Sequence, residues 1–243
     1  TAGSGDDWAV GGLGVDVILG GDGDDTMGGG SQHDILKGGD GDDLLNGGPG
    51  ADDMEGGDGN DTYSVDNVGD IVREQADAGT DTIPSKLNVV DLGTTPAVEN
   101  LVVIGQAALV DFTGAGNALD NVISGALGKD TLTGIGGNDI LDGSDNDDVL
   151  DGGDGADQLF GATGEDILNG GAGNDALQGG AENDTLNGDD GDDVLVGGLG
   201  IDVMTGGAGD DIYFVDDTLD RTIESVNGGQ DTVQIDSSGN PSV

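Results

Sequence analysis

Residues 11–28 read GGLGVDVIL followed by GGDGDDTMG, and each half fits the pattern G-G-x-G-x-D-x-U-x, where U is a large apolar residue. We number the positions of this nonapeptide from one to nine, so that the aspartate is at position six and U is at position eight. A short repeat that recurs along a chain is typical of a solenoid, because each repeat supplies one unit that stacks on the next.

The nonapeptide recurs in two blocks, seven repeats over residues 2–64 and eleven over residues 116–214. Each block is followed by a segment outside the pattern, residues 65–115 and residues 215–243. We therefore predict four segments: a first repeat block, a connecting and capping β segment, a second repeat block, and a C-terminal capping segment with a tail.

The two segments that follow the blocks match each other at an offset of 150 residues. The matching pairs include Tyr63 with Tyr213, Asp66 with Asp216, Asp70 with Asp220, Glu74 with Glu224, and Asp81 with Asp231. We expect residues 65–115 to form an ordered cap with strands over 98–104 and 107–112, because a solenoid end must cover its core. A flexible linker is the alternative. Residues 236–243 are predicted to be disordered.

Position eight is apolar throughout both blocks, from Ala9 to Tyr213. One apolar side chain per nine residues cannot form the buried face of a helix, which recurs every three or four residues. It fits a three-residue strand, x-U-x, followed by a glycine-rich turn of six residues. Two strands and two turns would make one coil of about eighteen residues. The sequence thus predicts an all-β protein with two parallel sheets and the U side chains between them.

The turns carry the chemistry of a calcium site. Ca²⁺ takes six to eight oxygen ligands from carboxylates and backbone carbonyls, and a glycine-rich turn exposes both. In stacked coils each turn lies under the turn two repeats later, which pairs Asp16 with Asp34, Asp25 with Asp43, and Asp139 with Asp157. Up to about fourteen Ca²⁺ ions could lie between such pairs. The predicted carboxylate ligands are Asp7, Asp16, Asp25, Asp34, Asp43, Asp52, Asp61, Asp130, Asp139, Asp148, Asp157, Asp166, Asp175, Asp184, Asp193, Asp202 and Asp211. The side chains of other turn acids, such as Asp22, Asp24 and Asp42, are expected to be solvated, and residues 65–115 are expected to bind little calcium.

Composition limits the possible partners. The chain has 51 acidic and 5 basic residues, for a net charge of -46. Such a chain is expected to be disordered without metal and to need bound cations when compact. It lacks the basic patches that nucleic acids and anionic membranes require. Cysteine is absent, so neither disulfides nor thiolate metal sites are expected. Because the first repeat is already in register at residue 2, we expect the chain to be a fragment of a larger protein.

The repeats resemble the RTX (repeats-in-toxin, haemolysin-type) calcium-binding nonapeptides over about two thirds of the chain. The resemblance implies a right-handed parallel β-roll, with Ca²⁺ bound by the position-six aspartate and by the carbonyls of positions one and three. On this chain those carbonyls belong to Gly11, Leu13, Gly20, Asp22, Gly38, Asp40, Gly47, Pro49, Gly134, Gly136, Gly143, Asp145, Gly152, Asp154, Gly161, Thr163, Gly170, Ala172, Gly179, Ala181, Gly188, Asp190, Gly197 and Leu199. Four residues depart from the pattern, so full occupancy is not implied at their turns: Gln32, Asn121, Asn146 and Glu182.

The resemblance further implies secretion from a Gram-negative bacterium through a type I channel. The chain would be unfolded in low cytosolic calcium and would fold outside the cell or at its surface, next to an attached domain. We expect no intrinsic catalysis, because His33 is the only histidine and no serine-hydrolase, zinc-protease or Walker motif is present. Two alternatives remain open: an adhesin or surface-layer repeat region, and an accessory module of a secreted protease, lipase or polysaccharide epimerase or lyase.

Overall fold

The computed structural model describes residues 3–75, 79–85, 87, 89–94, 97–103, 110–224 and 228–235. The chain divides into two compact units, Thr1–Gly105 and Gln106–Val243. Over the described residues the regular structure is β-strand, apart from one 3₁₀ turn at Leu92–Thr94, and the strand pairs are parallel. The predicted all-β parallel solenoid is confirmed, in agreement with a β-roll.

The described part of the first unit has eleven strands. They are β1 (Trp8–Leu13), β2 (Val17–Asp22), β3 (Thr26–Ser31), β4 (Ile35–Asp40), β5 (Leu44–Asn46), β6 (Asp53–Asp58), β7 (Thr62–Ser64), β8 (Ile71–Arg73), β9 (Thr82–Ser85), β10 (Val89–Asp91) and β11 (Asn100–Val103). Strands β1, β3, β5, β7, β9 and β11 follow one another in one sheet, and β2, β4, β6 and β8 form another. Val17 pairs with Ile35, eighteen residues on, which is the predicted length of one coil.

The second unit has the same plan. Its strands are β12 (Thr113–Ala115), β13 (Val122–Ser124), β14 (Thr131–Gly136), β15 (Ile140–Asp145), β16 (Val149–Asp154), β17 (Gln158–Thr163), β18 (Ile167–Ala172), β19 (Ala176–Ala181), β20 (Thr185–Asp190), β21 (Val194–Leu199), β22 (Val203–Ala208), β23 (Ile212–Val215), β24 (Arg221–Ile223) and β25 (Thr232–Ile235). The even-numbered strands β12 to β24 form one sheet, and the odd-numbered strands β13 to β25 lie side by side in another.

The core of each unit is a column of position-eight side chains. Leu36, Leu45, Leu132 and the other position-eight residues of both blocks are buried, with the exception of the half-buried Ala9 on the edge strand β1. The pleat places their sequence neighbours on the opposite face of the strand. The sequence prediction for the core is therefore confirmed, and it leaves the turns as the place where charged groups meet.

Most strands are six residues long, not the three that the sequence predicts. The ladder in β2 continues through positions one to three of the next repeat, past Gly21, whose φ is 136°. Pairing survives the bend because successive coils bend at the same position, so neighbouring backbones stay parallel. Position two is glycine in most repeats, and Ile135, Ser144, Ala162 and Asp189 adopt the same positive φ there. The turn is thereby reduced to positions four to six, and it ends on the aspartate.

Strands continue into the segments that follow the repeats. Val72 of β8 and Ile83 of β9 are buried and extend the core column of the first unit. Strand β11 falls within the predicted strand 98–104. The second predicted strand, 107–112, is wrong over its described part, because residues 110–112 belong to no strand and β12 begins at Thr113. Residues 236–243 lie outside the described residues.

Candidate metal centres

The position-six aspartates form ladders along the stacked turns. The backbone N–H of one aspartate donates to Oδ1 of the aspartate eighteen residues later, at 2.7 Å for Asp16 to Asp34, for Asp25 to Asp43, and for Asp139 to Asp157. For Asp61 and Asp211, the last of each block, the acceptor is twenty residues later. The predicted pairs therefore lie directly on one another. One oxygen of each carboxylate is used to hold the coils in register, and the other is free for a different role.

The second oxygen of most of these carboxylates is buried and has no hydrogen-bond partner among the residues that the structure describes. This holds for Oδ2 of Asp16, Asp25, Asp34, Asp43, Asp52, Asp61, Asp139, Asp148, Asp157, Asp166, Asp175, Asp184, Asp193, Asp202 and Asp211. A buried, unpaired carboxylate oxygen is costly, and native proteins satisfy such groups with a donor or a metal ion. The same unpaired oxygen recurs in successive turns, which fits a row of bound cations.

Two predicted ligands differ from the rest. Oδ2 of Asp130 accepts the N–H of Ala126 at 2.8 Å, and Oδ2 of Asp7 accepts the N–H of Gly3 at 2.9 Å. Their second oxygens are satisfied within their own turns. The structure therefore does not present these two aspartates in the same way as the other predicted ligands.

The position-one glycine leaves a space beside the unpaired oxygen. A Cβ added at Gly29 would lie 2.6 Å from Oδ2 of Asp34 and 2.7 Å from the carbonyl oxygen of Gly47, in the next coil of the stack. Any other residue would fill the place where a carboxylate and a carbonyl converge. Hard oxygen donors from two successive coils around one small space are suitable for Ca²⁺.

The predicted carbonyl ligands at position three lie where a strand ends and a turn begins. Position-three carbonyls accept the N–H of position four in the turn two repeats earlier, as in Gly23 to Asp40 at 2.7 Å and Gly155 to Ala172 at 2.7 Å. The Pro49 carbonyl accepts the N–H of Gln32 at 3.0 Å. A carbonyl oxygen has two lone pairs, so these bonds leave one available to a metal.

The departures from the repeat pattern have local consequences. Gln32, Asn146 and Glu182 stand at position four with φ of 82°, 77° and 78°. This left-handed conformation suits glycine and costs other residues energy. Asn121, at position six, accepts the N–H of Asn117 on its Oδ1 at 2.8 Å and carries no charge. The backbone of these turns follows the same path as that of neighbouring turns. The three residues at position four add backbone strain to their sites, and Asn121 provides no negative charge.

Burial raises the pKa of the position-six carboxyls. For Asp148 burial raises the pKa to about 8, with further upward contributions from the charges of Asp130, Asp166 and Asp147, while the Asp130 N–H lowers it. Burial likewise raises the pKa to about 7 for Asp139, Asp184 and Asp193, and to about 6 for Asp43, Asp61, Asp166, Asp175 and Asp202. Ionisation is unfavourable in these turns, and a bound cation would reverse that.

The structure shows two features that the sequence reading missed. Position-five side chains form a second, exposed ladder: Asp24 Oδ1 accepts the N–H of Asp42 at 2.9 Å, and Asp42 Oδ1 accepts that of Asn60 at 2.8 Å. These acids are therefore bonded between coils as well as solvated. The regular spacing of acids at position five was the available signal.

The second missed feature is a pair of three-carboxylate clusters, one in each unit. Among the described residues they are Asp61 with Glu74 and Asp81, and Asp211 with Glu224 and Asp231. The signal in the sequence was the match at an offset of 150 residues, which contains both glutamates.

Other chemistry-bearing groups have simple surroundings. His33 is exposed, and its Nδ1 contacts the carbonyl oxygen of Ala51. No helix among the described residues is long and apolar enough to cross a membrane.

A scan against protein families matches the RTX calcium-binding nonapeptide repeat, over residues 1–36, 28–63, 115–150, 133–168, 142–177, 151–186, 169–204 and 187–218. A search of curated proteins found no significant match. The matched ranges cover both repeat blocks and more than half of the chain. Proteins of this family bind calcium through these repeats and are secreted. The chain thus belongs to the family of RTX calcium-binding nonapeptide repeats.

Proposed function

We propose that this chain is a non-catalytic module that is unfolded at low calcium and folds when it binds many Ca²⁺ ions outside the cell. The observation that supports this most strongly is the series of buried aspartate oxygens without hydrogen-bond partners. Folding without cations would bury those oxygens in a chain of net charge -46. The free energy of ion binding then becomes free energy of folding.

The core alone supports the same conclusion. Apart from the first repeat, each nonapeptide contributes one buried side chain to its column, as Leu150 and Leu159 do in successive repeats. Fixing the backbone of nine residues for each such side chain is entropically expensive, about 1–2 kcal/mol per residue. Metal bridges between successive coils would supply stabilisation that the apolar column lacks.

In each turn the ion would be held by the unpaired oxygen of the position-six aspartate and by backbone carbonyls. Gly20, Asp22 and Asp25 are one such set, and Gly152, Asp154 and Asp157 are another. The ion would neutralise the carboxylate and bridge two coils. We place the sites at the turns whose aspartate Oδ2 is unpaired, which leaves the turns of Asp7 and Asp130 the least favoured. We expect at most about fourteen bound ions.

Calcium-dependent folding would aid export and would stabilise whatever is attached. A chain that is unfolded in the low calcium of the cytosol can pass through a type I secretion channel and fold in the external medium. We propose that the two repeat blocks, residues 2–64 and 116–214, bind the ions. Residues 65–115 and 215–243 cap them. Catalysis is assigned to an attached domain and not to these repeats.

Far-UV circular dichroism during a calcium titration, starting in chelator, tests the proposal. We expect a cooperative change from disorder to β-structure with Ca²⁺ and none with Mg²⁺ at the same concentration. A chain that is already β-structured in chelator and does not respond to calcium would refute calcium-driven folding.

A pair of neighbouring variants sharpens this test. Asp193 is buried with an unpaired Oδ2, whereas Asp192, one residue earlier, is exposed at position five and accepts the N–H of Asp210 at 2.8 Å. Asp193→Asn removes the charge from the turn interior, so it should weaken the ion site of that turn about tenfold, a cost of about 1.4 kcal/mol, and raise the calcium midpoint. Asp192→Asn keeps its acceptor oxygen and should change the midpoint little. Equal shifts would contradict the assignment of position six as the ligand.

A further inference from the structure

The last repeat of each block is followed by a longer turn. In the first unit Asp53 of β6 pairs with Ile71 of β8, eighteen residues on, but Thr62 of β7 pairs with Thr82 of β9, twenty residues on. In the second unit Ile212 of β23 pairs with Thr232 of β25 at the same wider spacing. Two additional residues are therefore inserted between β8 and β9, at a point where other turns have a fixed length.

A glutamate takes the place of the position-one glycine in these longer turns. Glu74 lies eighteen residues after Gly56, and its Oε1 accepts the N–H of Gly56 at 3.1 Å. In ordinary turns the next coil brings a glycine carbonyl to this place, as Gly47 does beside Gly29. Here it brings a carboxylate. Asp81 takes the position-six place, and its Oδ1 accepts the N–H of Asp61 at 2.8 Å.

A third carboxylate, that of Glu74, thus joins the stacked pair of position-six aspartates that ordinary turns also have. One oxygen each from Asp61, Glu74 and Asp81 lies within 4.8 Å of the others. Asp61 and Asp81 are each only 1% exposed, and Oδ2 of Asp61 has no hydrogen-bond partner. Arg73, next to the glutamate, points elsewhere and pairs with Asp53 at 2.7 Å. Like charges at this separation repel strongly unless a cation lies between them.

A buried tyrosine hydroxyl points into the same space. Tyr63 is fully buried, and its hydroxyl has no hydrogen-bond partner among the described residues. A Cβ added at Gly56 would collide with both this hydroxyl and Oδ2 of Asp61, so the two oxygens converge. The unpaired hydroxyl of Tyr63 is an observation separate from the acidic cluster, and it too indicates that a ligand binds in this space.

The second unit has a similar cluster, but its Glu224 is exposed and its tyrosine hydroxyl is hydrogen-bonded. Oxygens of Asp211, Glu224 and Asp231 lie within 4.8 Å of one another, and Oδ2 of the buried Asp211 is unpaired. Tyr213 accepts the N–H of Gly206 at 2.6 Å and donates to Glu224. Within the two blocks, position eight is tyrosine only in the last repeat of each.

We infer that these two clusters are distinct Ca²⁺ sites, of higher negative charge than the repeat turns, which fill first and fix the last coil of each block. The inference deepens the proposed function and rests on it for the identity of the ion. Affinity for Ca²⁺ increases with the number of charged ligands and with the rigidity of the site. Asp61 and Asp81 lie directly before the paired strands β7 and β9, and Glu74 directly follows β8, so the three carboxylates are held by the ordered ends of strands and meet both conditions.

Terbium luminescence tests this inference, because Tb³⁺ replaces Ca²⁺ and is sensitised by an aromatic ring close to it. The chain has two tyrosines, one in each proposed site, and one tryptophan. Trp8 is 81% exposed, so Trp8→Phe gives a suitable background in which only the two tyrosines sensitise strongly. We expect the first two equivalents of Tb³⁺ to produce most of the tyrosine-sensitised signal. Signal that appears only after many equivalents would overturn the inference.

Matched variants identify the ligands. In the same background, Glu74→Gln should weaken binding of one of the first two equivalents at least tenfold, and Glu74→Gln together with Glu224→Gln should weaken both. Glu55→Gln, which removes one negative charge as Glu74→Gln does, should leave both unchanged. Equal effects would refute the glutamates as ligands. The calcium titration by circular dichroism separates the two proposals. If the repeats fold with Ca²⁺ but early luminescence is absent, only this inference fails. Early luminescence without folding would instead refute the calcium-driven folding of the module.

Discussion

Adjacent glycines in β3 provide a sharp test of the space beside the position-six aspartate. A Cβ at Gly29 would lie 2.6 Å from Oδ2 of Asp34 and 2.7 Å from the carbonyl of Gly47, whereas a Cβ at Gly28 would meet nothing closer than Val10 Cγ2 at 3.8 Å. Neither glycine has a positive φ, so backbone strain does not separate them. The two alanine variants therefore differ in whether the added methyl group occupies the proposed ion position.

The magnitude follows from the overlap. Contacts below 3.0 Å are essentially never made by a Cβ, so in Gly29→Ala the carboxylate or the next coil must move. Forcing a methyl group into a closed space costs about 1–3 kcal/mol. If this cost falls on ion binding, it weakens binding about 5- to 140-fold.

Calcium titrations of the two variants, followed by circular dichroism and by isothermal titration calorimetry, measure the effect. Gly29→Ala should raise the calcium midpoint and lower the number of ions bound at saturation, and Gly28→Ala should match the unmodified chain. Equal midpoints for the two variants would refute the view that position one must be glycine because an ion lies beside it.

Two further predictions concern pH and backbone strain. Burial raises the pKa of Asp148 to about 8 and of Asp139 to about 7, from an ordinary value of 3.8, so the folded metal-free chain binds more protons than the unfolded one. The contribution of these carboxyls to the stability of the metal-free fold is then fully present below about pH 4 and is lost as the pH rises through about 7–8. In chelator we expect β-structure to increase on acidification, and in calcium we expect the midpoint to rise as protons compete; β-structure in chelator that does not change with pH would contradict this. Ile135 has φ of 87°, which costs a β-branched residue about 1–2 kcal/mol, so Ile135→Gly should stabilise the calcium-bound fold by about 0.5–1 kcal/mol in urea denaturation. Ile140→Gly, in the adjacent strand without positive φ, should destabilise it, and a loss of stability in both variants would exclude strain at residue 135.

Much of the fold could be read from the nine-residue period. One apolar residue per repeat, from Ile18 to Tyr213, permits only a short strand with one buried side chain, and glycines at fixed intervals permit only a tight turn. The position-six aspartates follow from the same period, because a residue at a fixed place in each coil stacks on its equivalents.

The strand lengths could not be read in this way. Whether β2 ends at Leu19 or continues to Asp22 depends on a neighbouring coil that bends at the same glycine. The sequence of a single repeat contains no information about that neighbour.

What the sequence by itself determined was therefore the repeating unit: its period, its inward side chain and its carboxylate. Only the tertiary structure decided which carboxylate oxygens are left unpaired, since Asp130 is satisfied within its own turn while Asp139 is not. It also decided that Glu74 reaches Asp61 and Asp81, because two inserted residues change the register of β9 against β7. The physical reason is that hydrogen-bond satisfaction and register are properties of two stacked coils, and neither is set by one coil alone.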